Sequence, residues 1–121
     1  MPIPPQAIIA DDEPMIRRVV ARRLEALGYK VFCAANGVEA LREFEANPGV
    51  ELMLLDLDMP GKSGLDVYCE VTEQPDAPRI VIMSGYDLDD TVACFAHADS
   101  MPEILSKPFG GEAIAGLLAT S

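Results

Sequence analysis

The sequence predicts an α/β fold: a doubly wound parallel sheet of five strands with helices on both faces. Three observations carry this reading. Short apolar runs alternate with segments whose apolar residues recur at helical spacing. The central run, Leu52-Met53-Leu54-Leu55, has no polar interruption before Asp56, as in a strand buried on both faces. Turn formers such as Asn47-Pro48-Gly49 and the stretch from Gln74 to Pro78 separate successive units.

The elements follow in order. Residues 1–6 are Pro-rich at their start and read as an extended lead-in. Gln6 to Ala10 is the first strand and runs into Asp11-Asp12-Glu13. Pro14 suits the first turn of a helix, and Ile16, Val19, Val20, Leu24 and Leu27 continue it to Gly28, an αL cap. Arg17, Arg18, Arg22 and Arg23 share this helix. They read either as a solvated face or as a docking face for a negatively charged or helical partner. Lys30 to Ala35 is the second strand, Asn36-Gly37 a turn, and Val38, Leu41 and Phe44 mark the second helix. The central run is the third strand, followed by the loop Asp58-Met59-Pro60-Gly61-Lys62-Ser63-Gly64 and a helix from Leu65 to Thr72. Arg79 to Met83 is the fourth strand and runs into Ser84-Gly85. Asp87 to Ala98 reads as a weaker helix with Leu88, Val92 and Phe95 on one stripe. Glu103 to Ser106 is a short fifth strand before Lys107-Pro108-Phe109, and Gly111 to Ala119 is the last helix.

Composition narrows the function. The 121 residues suit one domain, 1–121, with a real core. No apolar run approaches the roughly 20 residues of a membrane span, and no secretory signal is visible. The net charge of −11 opposes direct nucleic-acid binding through a basic face and favours attraction of cations. Cys33, Cys69 and Cys94 are widely spaced, and with His97 they make no ordinary zinc cluster. They read as small buried hydrophobes in a reducing, cytoplasmic setting. No Gly-x-Gly-x-x-Gly and no Walker-type Gly-Lys-Ser/Thr is present, so dinucleotide and P-loop readings fail.

The chemistry lies at the carboxyl ends of the strands, the edge where open α/β sheets place their ligands. Strand one ends in Asp11 and Asp12, strand three in Asp56 with Asp58 beyond, strand four in Ser84, and strand five in Lys107. Two like charges about 4 Å apart repel by roughly 4 kcal/mol at an effective dielectric near 20. Three crowded carboxylates therefore need a cation or a raised pKa. A hard oxygen donor set suits Mg²⁺, with Mn²⁺ as the alternative ion. Lys107 offers a fixed positive charge and Ser84 a hydroxyl for phosphoryl oxygens. Asp56 is left as a nucleophile able to form an aspartyl phosphate.

Four stretches together resemble a response-regulator receiver domain of two-component signalling. They are Ile8 to Pro14, Leu54 to Gly64, Ile82-Met83-Ser84-Gly85 and Ser106-Lys107-Pro108-Phe109. The resemblance covers essentially the whole chain in order and spacing. It implies a (βα)₅ flavodoxin-like fold with strand order 2-1-3-4-5 and Asp56 as the phosphoacceptor. It implies Mg²⁺ held directly by Asp12 and Asp56, by Asp11 through water, and by the backbone carbonyl of Asp58. Ser84 would contact the phosphoryl group, and Lys107, in a Lys-Pro step often cis in the family, would pair with its oxygen. The donor would be a phosphohistidine of a histidine kinase or histidine phosphotransfer protein. The domain would catalyse this transfer and its own dephosphorylation without being a conventional enzyme. It would act as a monomer or as a phosphorylation-dependent dimer on a downstream target protein. Arg17, Arg18 and Arg22 would then be candidates for docking the donor.

Two departures stand out. The family's switch position, three residues before the lysine, is usually aromatic and here is Ile104. Ala98 to Pro102 also differs from the usual small-residue turn before strand five. Tyr86 is placed either at the mouth of the site or on the surface. Asp56-Leu57-Asp58 also resembles the Asp-x-Asp motif of haloacid-dehalogenase-type phosphatases, but there the acid pair follows that motif, and here it precedes it. A pseudo-receiver that works without phosphorylation is the third reading. The chain stops just after its fifth helix, so no effector domain is expected in it; a stand-alone regulator and a receiver of a hybrid kinase both remain compatible.

Overall fold

The computed structural model describes residues 3–119. The apolar runs form strands β1 (Gln6–Ala10), β2 (Lys30–Ala34), β3 (Val50–Asp56), β4 (Arg79–Ser84) and β5 (Glu103–Ser106). Between and after them lie helices α1 (Pro14–Ala26), α2 (Gly37–Ala46), α3 (Gly64–Thr72), α4 (Leu88–Cys94) and α5 (Gly111–Ala119). All strand pairs are parallel, in the order β2-β1-β3-β4-β5, as expected from the sequence.

The central strands are apolar without interruption because both sheet faces are covered. Ile8, Ala10, Met53, Leu55, Ile80 and Ile82 pack with Ala40 of α2, Val67, Tyr68 and Val71 of α3, and Phe95. The alternate residues Ala7, Ile9, Leu52, Leu54, Val81 and Met83 pack with Val20, Ala21 and Leu24 of α1 and Ile114 of α5. A one-residue slip of β3 would exchange its two faces, so this double burial pins the register. It also levels the strand ends. Ala10 pairs with Leu55, and Asp56 with Met83, so Asp11, Asp56 and Ser84 leave the sheet along one edge.

Local chemistry sets the helix starts. Pro14 stands at the first position of α1, and Gly28 beyond it has φ +97°, as its αL reading requires. Asn36-Gly37 is not a turn but the start of α2, because the Asn36 side chain accepts from the Glu39 amide and caps the helix. Ser63 and Asp66 form a reciprocal capping box on α3. Asp87 caps α4 by accepting from the Asp90 amide.

Three expectations are corrected. Helix α4 ends at Cys94, short of Ala98, because its hydrogen bonds switch to i→i−3 as Phe95 drops into the core. Its inward stripe is Thr91 and Phe95, both fully buried or nearly so, while Leu88 and Val92 are exposed. The three cysteines are exposed and free, since Cys33 lies on edge strand β2, Cys69 on the outer side of α3 and Cys94 at the last turn of α4.

The loop after β3 is tied down at both ends. Buried Leu57 donates its amide to the Met83 carbonyl at 2.9 Å, and Gly64 donates to the Leu57 carbonyl at 2.9 Å. A Cβ at Gly64 would lie 2.5 Å from the carbonyl oxygen of Asp56 and 3.0 Å from the Cα of Leu57. Helix α3 therefore starts against the backbone that carries Asp56, and only glycine permits that approach. Gly64→Ala should lower stability by about 2 kcal/mol in urea unfolding, because the neighbouring atoms are backbone and cannot swing aside.

Candidate functional site

Four strand ends deliver the polar groups expected from the sequence to one edge of the sheet. Asp11 follows β1 and is wholly buried; Asp12 beside it is exposed. Asp56, the last residue of β3, is 6% exposed. Ser84 ends β4 and is buried. Lys107 follows β5 directly and is joined to Pro108 by a cis peptide bond, and its amide donates to the Ser84 carbonyl at 2.7 Å.

Lys107 holds the acids together. Its Nζ donates to Asp11 Oδ2 at 2.9 Å and lies 3.2 Å from Asp56 Oδ1. Asp11 is further fixed by the Glu13 amide, which donates to its Oδ1 at 2.9 Å. The backbone amide of Asp58 favours the charged form of the Asp56 carboxylate. The carboxylates of Asp11, Asp12 and Asp56 each offer an oxygen within 4.8 Å of the others.

The electrostatics follow from this crowding. Burial and then the Asp11 charge push Asp56 up to about 6, although Lys107 and the Asp58 amide pull the other way. Burial works against the charge on Lys107, but its hydrogen bond to Asp11 and the charges of Asp56 and Asp11 outweigh that and raise its pKa. One ammonium thus offsets part of the repulsion. The exposed carboxylate of Asp12 makes no hydrogen bond or ion pair among the described residues and opens the cluster to solvent. An all-oxygen, partly solvated set of carboxylates fits a hard divalent cation.

Other expected residues fall into place differently. Asp58 is exposed, and its carboxylate lies beside Tyr86 on the same cleft and raises the pKa of the Tyr86 hydroxyl. Tyr86 therefore stands at the rim of the site, not alone on the surface. Ile104 is half-buried and pairs with Ile82 across β4 and β5. Arg18 and Arg22 are exposed on α1. Arg17 is not a free docking side chain: its Nη1 donates to the Asp11 carbonyl at 2.7 Å, bracing the loop that carries the acid pair.

Sequence reasoning missed Thr91. Its hydroxyl is fully buried and 2.8 Å from Ser84 Oγ. The signal for it was its spacing of four from Phe95, which places both on the inner side of a helix.

The geometry defines a class: a parallel five-stranded α/β protein with an acid cluster, a hydroxyl and a bridging lysine at the carboxyl edge of its sheet. Residues 7–119 match the response regulator receiver domain family, and the chain belongs to that family, which serves two-component signalling. It is 39% identical over 103 residues to response regulator RR06 of Streptococcus pneumoniae, covering 84% of this chain and 46% of that one. It is 38% identical over 104 residues to the transcriptional regulatory protein KdpE of Mycobacterium tuberculosis, covering 85% and 44%. The chain therefore spans about half the length of these curated relatives. Its fold is that of the chemotaxis response regulator CheY4 of Vibrio cholerae, with a TM-score of 0.87, 23% identity and 98% of each chain covered. Family membership decides against the haloacid-dehalogenase resemblance. No helix among the described residues is long and apolar enough to cross a membrane.

A raised carboxylate pKa has a definite sign for stability. Between the ordinary Asp value of 3.8 and about 6, the folded protein holds more protons than the unfolded chain. Stability therefore falls as pH rises through that window. Without divalent cations, Asp56→Asn should be more stable than wild type above pH 6 by on the order of 2 kcal/mol. The difference should shrink toward zero below the ordinary Asp range, as read by thermal unfolding across pH.

Proposed function

We propose that this chain accepts a phosphoryl group on Asp56 from a phosphohistidine of a histidine kinase or histidine phosphotransfer protein, and signals through phosphorylation-dependent protein contacts. The observation that carries the proposal is the bridged cluster in which Lys107 contacts both Asp11 and Asp56 while Asp12 opens to solvent. A carboxylate oxygen of Asp56 attacks phosphorus in line. The P–N bond of the donor breaks, its electron pair returns to the imidazole, and that nitrogen takes up a proton. Lys107 pairs with a phosphoryl oxygen in exchange for part of its contact with the acids. Ser84 is the hydroxyl donor at the same edge. Mg²⁺, or Mn²⁺, bound by Asp11, Asp12, Asp56 and the Asp58 carbonyl, would neutralise charge on the phosphoryl oxygens. Water attacking the same phosphorus would break its bond to the Asp56 oxygen, release inorganic phosphate and return Asp56 to its carboxylate.

Burial and the Asp11 charge raise the pKa of Asp56. A divalent cation at these oxygens would relieve that repulsion and offset the charge of an incoming phosphoryl group. Beryllofluoride with Mg²⁺ should bind the wild type with one-to-one stoichiometry in calorimetry, and Asp56→Asn should abolish the binding. Asp56-dependent uptake from a small phosphodonor is the companion measurement. Its absence would leave the pseudo-receiver reading in its place.

Docking is a separate matter. The exposed arginines of α1 suit an acidic face on a helical donor. Because Arg17 braces the Asp11 loop, the clean test uses the other two. Arg18→Ala with Arg22→Ala should slow phosphotransfer from the protein donor about tenfold and leave small-donor phosphorylation unchanged. Equal slowing of both reactions would count against docking through α1.

A further inference from the structure

Ser84 Oγ has one proton, and its neighbours determine where that proton points. The Tyr86 amide donates to Ser84 Oγ at 3.1 Å, which uses an acceptor site. Thr91 Oγ1 lies 2.9 Å from the Asp87 carbonyl, which can only accept, so Thr91 donates there. The remaining contact, 2.8 Å between Ser84 Oγ and Thr91 Oγ1, must then carry the proton of Ser84 to Thr91. Both hydroxyls are buried, so no bulk water competes for them.

A phosphoryl oxygen also only accepts. For Ser84 to serve one, its proton must leave Thr91. That departure orphans no donor: Thr91 keeps its bond to Asp87, and only an acceptor site on Thr91 empties. Losing an acceptor contact costs less than stranding a buried proton, so the two arrangements differ by little. Asp87 is the N-cap of α4, and its carbonyl also accepts the Thr91 amide at 3.0 Å. The hydroxyl of Thr91 thus ties the first turn of α4 to the end of β4. Ile104 puts an aliphatic side chain where the family usually has a ring, so this tie is a route from Ser84 to α4 that needs no aromatic residue.

We propose that Thr91 is a positioning residue that holds the Ser84 hydroxyl away from the phosphoacceptor until a phosphoryl group claims it, and that breaking the Ser84–Thr91 bond loosens α4. This rests on the reading of Ser84 as the phosphoryl partner. The exposed Leu88 and Val92 make α4 the surface through which the change is felt.

The test compares Thr91→Val, which keeps the shape and removes the acceptor, with Thr91→Ser, which keeps the hydroxyl. Thr91→Val should bind beryllofluoride with Mg²⁺ about fivefold more tightly than wild type in calorimetry, because the unliganded state loses its competing acceptor. Thr91→Ser should match wild type. In a Ser84→Ala background the valine substitution should change affinity by less than about twofold, a coupling that a merely structural role would not produce. Without any ligand, amide exchange over residues 88–94 should be faster in Thr91→Val than in wild type or Thr91→Ser. Should the valine variant fail to fold, Thr91→Ala takes its place with the same expectations. Wild-type affinity in Thr91→Val, an effect that persists without Ser84, or unchanged exchange in α4 would overturn the inference while leaving Asp56-dependent binding intact. Absence of Asp56-dependent binding in the wild type would overturn the receiver chemistry and this inference together.

Discussion

The contact of Lys107 with Asp11 and Asp56 is the interaction on which the site depends. A single ammonium, 2.9 Å from one carboxylate and 3.2 Å from the other, holds two buried or nearly buried acids that would otherwise repel each other. Such a pair is not a source of stability in itself, since removing charges from water opposes their attraction. What it supplies is position. The acids are fixed near each other, and burial, with the Asp11 charge behind it, raises the pKa of Asp56. Under the proposed function, a divalent cation at these oxygens would offset the charge of the acids and of a phosphoryl group beside them.

The fold makes this arrangement possible through burial on both sides of the sheet. Because β1, β3 and β4 are covered by α1 and α5 on one face and by α2, α3 and Phe95 on the other, their register cannot drift. Their ends therefore stay level, and the acids and the hydroxyl stay within reach of one lysine. The loop after β3 is closed by the Gly64–Leu57 hydrogen bond, which ties down the backbone next to Asp56. The α4 side of the site is held more lightly. Helix α4 is short, its apolar residues Leu88 and Val92 face solvent, and its inward contacts are Thr91 and Phe95. The doubly covered ends of β1 and β3 thus stand beside a more lightly held α4.

Much of this was legible in the sequence. Apolar runs ended by acids, a hydroxyl and a lysine marked both the strands and their functional edge, because a doubly buried strand must be apolar until it leaves the core. Helix boundaries that depend on capping were less legible. Asn36-Gly37 reads as a turn until the Asn36 side chain is seen to accept from Glu39. The stripe of α4 was misassigned for a related reason. Leu88, Val92 and Phe95 look like a buried face by hydrophobicity, yet the helix is too short and too close to the sheet edge to bury all of them. The cysteines were misread as interior because cysteine is often buried, whereas the outer side of an edge strand and of two helices leaves them exposed.

By itself the sequence determined the strand–helix order, the set of residues at the carboxyl edge and their chemical type, since these follow from periodicity and from where polar groups interrupt apolar runs. The tertiary structure decided which of those residues share contacts. It joined Lys107 to Asp11 and Asp56 across 96 positions of chain in the first case, turned Arg17 from a surface charge into a brace for the Asp11 carbonyl, and set Tyr86 against Asp58. It also brought Thr91 under Ser84. Those pairings depend on how helices lie against the sheet, a three-dimensional constraint that no local pattern of residues encodes.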